Sequence, residues 1–399
     1  MFWNEARMTT FSKHWFLFTF SLSEGWNDDS LEKTLGLTGW ERKMFDYTDD
    51  YKNNFAAQNS VLFYGCGAVF DDATSHNRVL TVYEYLQGCG GNYTIKVDEK
   101  TTYTLRLNRV ELRLYANFVG VLAFHVENND YGTDTEIKDI NEYGRHIFPP
   151  YFTDKKMVCP QSITVTFTNG YAFKQDFSQY EQEDDEPFKL PEFINQILPE
   201  ELYKDSAWLC DDSMFYVSLI TPDATRGIHP KMDVSAFSGE YNFVVAPSNL
   251  DIYRETHTEE LDFYEDVCVG IAELALAQKA CYLWFTKLKS DIARKLNDGE
   301  ITDNEFLDKL QALSKNVLVF ANNICHHDIS PKANTNKLYK QLQKNFELDE
   351  KSKELQKEVK QLYQYAETIT DRVRNQRMLE LQRIAVVAAV LMLIVGLIK

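Results

Sequence analysis

From Asn334 to Val395 the chain contains neither proline nor glycine. Those two residues are the usual terminators of helices, so a breaker-free run of this length points to one long helical segment. Within it Leu348, Ser352, Leu355, Val359, Leu362, Ala366, Ile369 and Val373 recur at alternating spacings of four and three. These are heptad a and d positions, and Lys and Glu fill the outside. A seam this narrow suits helix against helix. Two arrangements satisfy it: a stalk over residues 334–383 that pairs with other copies, or a hairpin with helices earlier in the same chain.

The run leads into "IAVVAAVLMLIVGLIK", fifteen apolar residues from Ile384 to Ile398 followed by one lysine. At about 1.5 Å per residue this is only about 22 Å of helix, against roughly 30 Å of bilayer hydrocarbon. Arg372, Arg374, Arg377 and Arg383 stand just before it. Positive charge at one end of an apolar helix places that end on the cytoplasmic side. The expectation is therefore a transmembrane helix over 384–399, incomplete at its outer end, lodged in the inner (cytoplasmic) membrane. A large N-terminal domain in the cytoplasm and the lipid bilayer as partner follow from it.

Upstream the pattern is that of an α+β body. "TYTLRLNRVELRLYANFVGVLAFHVEN" (Thr102–Asn128) alternates Tyr103, Leu105 and Leu107, then Val110, Leu112 and Leu114, before a continuous apolar run. Adjacent, antiparallel strands are expected. "SITVTFTN" from Ser162, "MFYVSLI" from Met214 and "YNFVVAP" from Tyr241 add further strands, and the N-terminal twenty residues read as ordinary strand-forming sequence. After Asp251 the periodicity becomes helical, over Thr258–Leu296 and again over Thr302–Cys325 behind an N-cap pattern at Thr302. The expected organisation is a mixed or antiparallel sheet with helices over 1–250, a helical region over 251–333, the stalk and the membrane helix.

A net charge of −18 argues against direct nucleic-acid binding, which needs concentrated Lys and Arg. Seven scattered cysteines without CxxC spacing read as reduced thiols. "EQEDDEP" (Glu181–Pro187) is a solvated acidic loop, and the glycine-rich "GCG" at Gly65 and "GCGG" at Gly88 lack the Lys-Ser/Thr ending of a phosphate loop. "CHHD" (Cys325–Asp328) has metal-ligand types, but neighbouring histidines on a helix diverge by about 100°. No catalytic constellation emerges, and the expectation is a protein that is not an enzyme.

"RMLELQRIAVVAAVLMLIVG" (Arg377–Gly396), entered from a long stalk below an acidic α/β body, resembles the CorA family of divalent-cation channels. "INEYGRHIFPPYF" (Ile140–Phe152) and "YEDVCVGIAELALAQKACYLWF" (Tyr264–Phe285) resemble segments of the CorA-like proteins encoded beside type III CRISPR systems. The resemblance implies a homo-oligomeric membrane channel in antiviral defence, assembled through stalk and membrane helices. It implies gating by a small nucleotide messenger, S-adenosylmethionine joined to AMP (SAM-AMP). A magnesium or cobalt transporter using Mg2+, and a tail-anchored interaction protein without a pore, are the alternatives.

Candidate site residues follow from both kinds of reading. In "NEYGRHIFPP" Gly144 permits a tight turn, Asn141, Tyr143 and Phe148 offer polar and stacking contacts, and Arg145 supplies a bidentate fork for phosphate. Arg254 is a second guanidinium candidate for the ligand, and Arg226 a third. If the heptads continue in phase, Arg383, Val387, Val390, Ile394 and Leu397 would face the axis of a bundle and gate a pore by excluding water.

Overall fold

The computed structural model describes Phe55 and residues 12–22, 28–43, 61–64, 79–116, 118–146, 160–177, 196–202, 214–220, 234–238, 242–247, 267–326 and 328–398. Its strands are β1 (Ser12–Ser21), β2 (Trp40–Arg42), β3 (Leu80–Tyr85), β4 (Gly91–Lys96), β5 (Thr102–Tyr115), β6 (Val119–Asn128), β7 (Ser162–Thr166), β8 (Ala172–Asp176), β9 (Met214–Ile220), β10 (Val234–Ser238) and β11 (Asn242–Pro247). The helices are α1 (Asp28–Leu37), α2 (Val61–Tyr64), α3 (Asp134–Gly144), α4 (Val269–Asn297), α5 (Asp303–Asn323), α6 (Ala333–Asn345) and α7 (Leu348–Ile398).

The strands join in one sheet ordered β10-β11-β9-β1-β6-β5-β4-β7-β8, with β3 also paired to β5 and carrying β2. Every pairing is antiparallel except that of β11 with β9. β1 and β6 lie at its centre, and both are buried nearly throughout because each has a covered face on either side. Between β5 and β6 the register shifts at Leu107/Arg109. One extra residue there reverses the alternation of β5. Tyr103, Leu105 and Leu107 before it, and Val110, Leu112 and Leu114 after it, all join one apolar face with Phe16, Phe18, Phe20 and Phe124. Arg109, Glu111 and Arg113 are thereby sent to the opposite face.

Helix α3 covers the aromatic face. It opens on a capping box, in which Thr133 Oγ1 accepts from the Glu136 amide and the Glu136 carboxylate accepts from the Thr133 amide. Ile137, Ile140, Asn141 and Gly144 form its buried stripe. The tight turn expected at Gly144 is instead the last helical residue, placed where a Cβ would lie 2.2 Å from Phe16 Cζ. Helix α4 covers the other face with α2: the Phe118 and Trp284 rings stack at 5.2 Å, and a Cβ on Gly270 would meet Phe63 at 3.1 Å.

The chain divides into two compact units, Met1–Trp284 with Phe320–Asp349, and Phe285–Val319 with Glu350–Lys399. In the second, Thr302 and Glu305 cap α5 as expected from the sequence. Lys289 pairs with Glu358 at 2.6 Å, and Phe306 packs on Tyr365. Leu355, Val359, Ala366 and Ile369 are buried there in a single chain, so the heptad seam is covered by helices of the same molecule. Helix α7 is preceded by a break at Phe346–Glu347, where Glu347 has φ 54°, rather than continuing from residue 334.

The expected C-terminal transmembrane helix is corrected by the structure. Among the described residues no helix is long and apolar enough to cross a membrane. The apolar run occupies the last part of a 51-residue helix whose remainder is rich in Lys and Glu. The inner-membrane location inferred from it falls with it. Arg383, Val387, Val390, Ile394 and Leu397 lie on α7, with side chains outside those described.

Candidate functional site

Two buried polar clusters flank the centre of the sheet, one on each face. Under α4 the strand β5 presents Arg109, Glu111 and Arg113, and β6 adds His125. Glu273 projects from α4 into this group and is fully buried, as is Glu111. Arg113 Nε lies 2.7 Å from Glu111 Oε1 and 2.9 Å from Glu273 Oε2, while its Nη1 donates to the Phe63 carbonyl at 3.2 Å. Arg109 Nε and Lys43 Nζ stand 3.6 and 3.8 Å from Glu111 Oε2, and Lys43 also faces Glu84. Three cations thus meet three carboxylates, which is how charge is tolerated so far from water. Burial alone would raise the Glu111 carboxyl, but Arg113, Arg109 and Lys43 hold it well below the usual carboxylate range. Burial likewise opposes the charge on Arg113, and Glu273 and Glu111 more than restore it.

Glu111, His125 and Glu273 bring one ligand atom each within 4.8 Å of one another, so this group could hold a metal ion. The donor set, two carboxylates and an imidazole, suits a transition metal better than Mg2+, which prefers oxygen ligands and retained waters. Arg113 already fills the cationic role between the two carboxylates. His125 Nδ1 accepts from Trp15 Nε1 at 2.6 Å and from Arg109 Nε at 3.2 Å, which leaves the proton on Nε2. Burial, then Arg109, pushes this imidazole well below its ordinary pKa, so it stays neutral. A metal would have to reverse the tautomer and displace the guanidinium.

On the aromatic face a neutral network ties β1, β6 and β9 to α3. Asn128 Nδ2 donates to Ser12 Oγ at 2.9 Å, and Ser12 Oγ bonds His14 Nε2 at 2.8 Å. His14 Nδ1 then donates to Asn141 Oδ1 at 2.8 Å, and the same oxygen accepts from Ser218 Oγ. The order of groups resembles a Ser-His-Asn relay, but Ser12 and His14 are wholly buried, so the nucleophile has no approach and the network is structural.

Of the ligand candidates, Asn141 is a buried member of this network, and Tyr143 packs against the apolar core. Arg145 follows the last turn of α3, 8% exposed, with Nη2 donating to Glu142 at 2.8 Å. The His146 hydrogen bond, with Arg145, holds the Glu142 carboxyl down at about 2, so the pair is ionic at neutral pH. The structure therefore brings Asn141, Tyr143 and Arg145 together on one helix end. Phe148, Arg254 and Arg226 lie outside the described residues, as do Gly65–Gly67 and Glu181–Pro187. Tyr264–Phe285, the second segment of the resemblance, contributes α4, which covers the opposite face of the sheet from α3.

Sequence reasoning missed the ionic cluster. Its signal was present as Arg109-x-Glu111-x-Arg113, three charges alternating with Val110 and Leu112, and as Glu273 alone within "VGIAELALA".

The geometry defines an α+β sheet protein whose central strands carry a buried ionic cluster on one face and a neutral polar network on the other. No family model matches the chain, and no curated protein or solved structure matches it either.

Proposed function

We propose that this chain is a non-enzymatic, ligand-responsive sensor for a small adenine-nucleotide messenger of the SAM-AMP kind, and that it acts in type III CRISPR defence. The observation that carries the reading is the oriented Arg145 guanidinium at the end of α3, beside Tyr143. A fork held by Glu142 is pre-aimed for an incoming phosphate, which would exchange one anion for another. The resemblance of "INEYGRHIFPPYF" to CorA-like effectors supports the same end of α3. The response is a change in the bias between arrangements of the sheet and its helices, and a membrane pore is not part of the proposal.

The test is calorimetry and thermal unfolding of the full chain with SAM-AMP, AMP, S-adenosylmethionine and MgCl2. At a hundredfold excess over Kd, the messenger should stabilise the fold by about 2.7 kcal/mol. Arg145→Lys should weaken its binding at least tenfold, since an ammonium cannot supply the two-pronged contact. No heat and no stabilisation with any nucleotide at millimolar concentration refutes the proposal.

A second reading, cation sensing, is favoured by the Glu111–His125–Glu273 group. Stabilisation by Mn2+ or Zn2+, with none from nucleotides, would select it.

A further inference from the structure

The first half of α4 is buried on every side. Val269, Ile271, Ala272, Leu274, Ala275, Leu276, Ala277, Ala280 and Cys281 are each at most 4% exposed. Four of these are alanines, and Gly270 adds a fifth small residue, so the helix presents a smooth cylinder to its neighbours. Apolar contact is non-directional, and packing ridges on such a surface are shallow. Rotation of α4, or a slide by one ridge, would exchange one set of apolar contacts for another.

Three polar residues interrupt this surface, Glu273, Gln278 and Lys279; the last sets its ammonium over the Phe346 ring at 5.3 Å, and the first two make the directional contacts. Glu273 meets Arg113 of β5 at 2.9 Å. Gln278 Nε2 donates to the Ile324 carbonyl at 2.8 Å and to the Tyr339 hydroxyl at 2.6 Å, at the end of α5 and on α6. Five residues apart on a helix, they point about 140° from one another. Together they fix both the rotation and the height of α4, because any other register would strand a buried carboxylate and a buried amide at once.

We propose that Glu273 and Gln278 are register pins, and that the Arg113–Glu273 pair specifies the position of α4 rather than adding net stability. The inference does not depend on the identity of any ligand. Its test is native-state hydrogen exchange of the full chain, read for amides 271–284 against global unfolding by urea. In the unaltered chain these amides should exchange only through global unfolding. In Arg113→Met/Glu273→Leu, which removes both charges at similar volume, they should exchange at least tenfold faster than global unfolding allows. Lys43 and Arg109 still face Glu111 in that variant. Gln278→Met tests the second pin with the ionic cluster intact, and the same acceleration is expected. Exchange that still coincides with global unfolding in the folded variants overturns the proposal. So does a double variant that cannot fold, since the pair would then supply stability and not position.

Discussion

Lowering the pH from 7 to 4.5 should destabilise this protein through His14. The imidazole is fully buried, and its three polar neighbours, Ser12, Asn141 and Ser218, are all neutral. Burial lowers its pKa from about 6.5 to about 4, with the Asn141 hydrogen bond opposing part of the fall. In the unfolded chain the ring takes up a proton below about 6.5, whereas the folded chain refuses it until about 4. Between those values the unfolded state binds more protons, so stability rises with pH, is complete above the upper value and is lost towards the lower. At about 1.4 kcal/mol per pH unit, His14 accounts for about 3 kcal/mol over the whole window and about 2 to 3 kcal/mol by pH 4.5. His125, also held low by burial, adds to the same trend. The assay is urea unfolding at half-unit pH steps from 7.5 to 4.5, for the unaltered chain and for His14→Gln. The variant should be less stable at pH 7, but its dependence on pH should be shallower by up to one proton. Equal slopes for the two chains, or no dependence in either, would refute the assignment of a buried neutral imidazole.

Two further outcomes test the clusters. Gly144→Ala would drive a methyl group to 2.2 Å from Phe16 Cζ, in a ring that is fully buried against Tyr93. A loss of about 1–3 kcal/mol is expected in urea unfolding, and an unchanged midpoint would show that α3 can withdraw freely. Calorimetric titration with Zn2+ should show at least tenfold tighter binding to Arg113→Met than to the unaltered chain, because the guanidinium no longer competes for Glu111 and Glu273; equal affinities would mean that Arg113 does not guard the group.

Much of the sheet was legible because its physics is local. The alternation over Thr102–Asn128 gave β5 and β6, and even the bulge was written in it. Three apolar residues at odd positions, Tyr103 to Leu107, are followed by three at even positions, Val110 to Leu114. Met214–Ile220 formed the strand expected of it. Gly144 was read as a tight turn because it and the neighbouring prolines are loop signals, whereas the capping box at Thr133 that starts α3 lies eleven residues earlier. The heptad seam left two partners open, since periodicity states that a face is buried and not what buries it; the structure covers it within the chain. The charges after the bulge carried no site reading, because only tertiary contact brings Glu273 from far along the chain to meet them. The membrane expectation is overturned because, among the described residues, no helix is both long and apolar enough to cross a membrane.

The two clusters are separated by one residue of β1. His14 turns to the α3 face, where it bonds Asn141, and Trp15 turns to the α4 face, where it donates to His125. Successive residues of a strand point to opposite faces, so a shift of β1 along its axis must disturb both partners together. Both neighbours of β1 hold it by continuous ladders, β6 over Ser12–Ser21 and β9 over Ser12–Phe18. A strand clamped on both edges moves as a unit or not at all. Whatever displaces Asn141 on α3 therefore has a short path to the ionic cluster that seats α4, through the Asn141–His14 hydrogen bond, one peptide unit of β1 and the Trp15–His125 hydrogen bond.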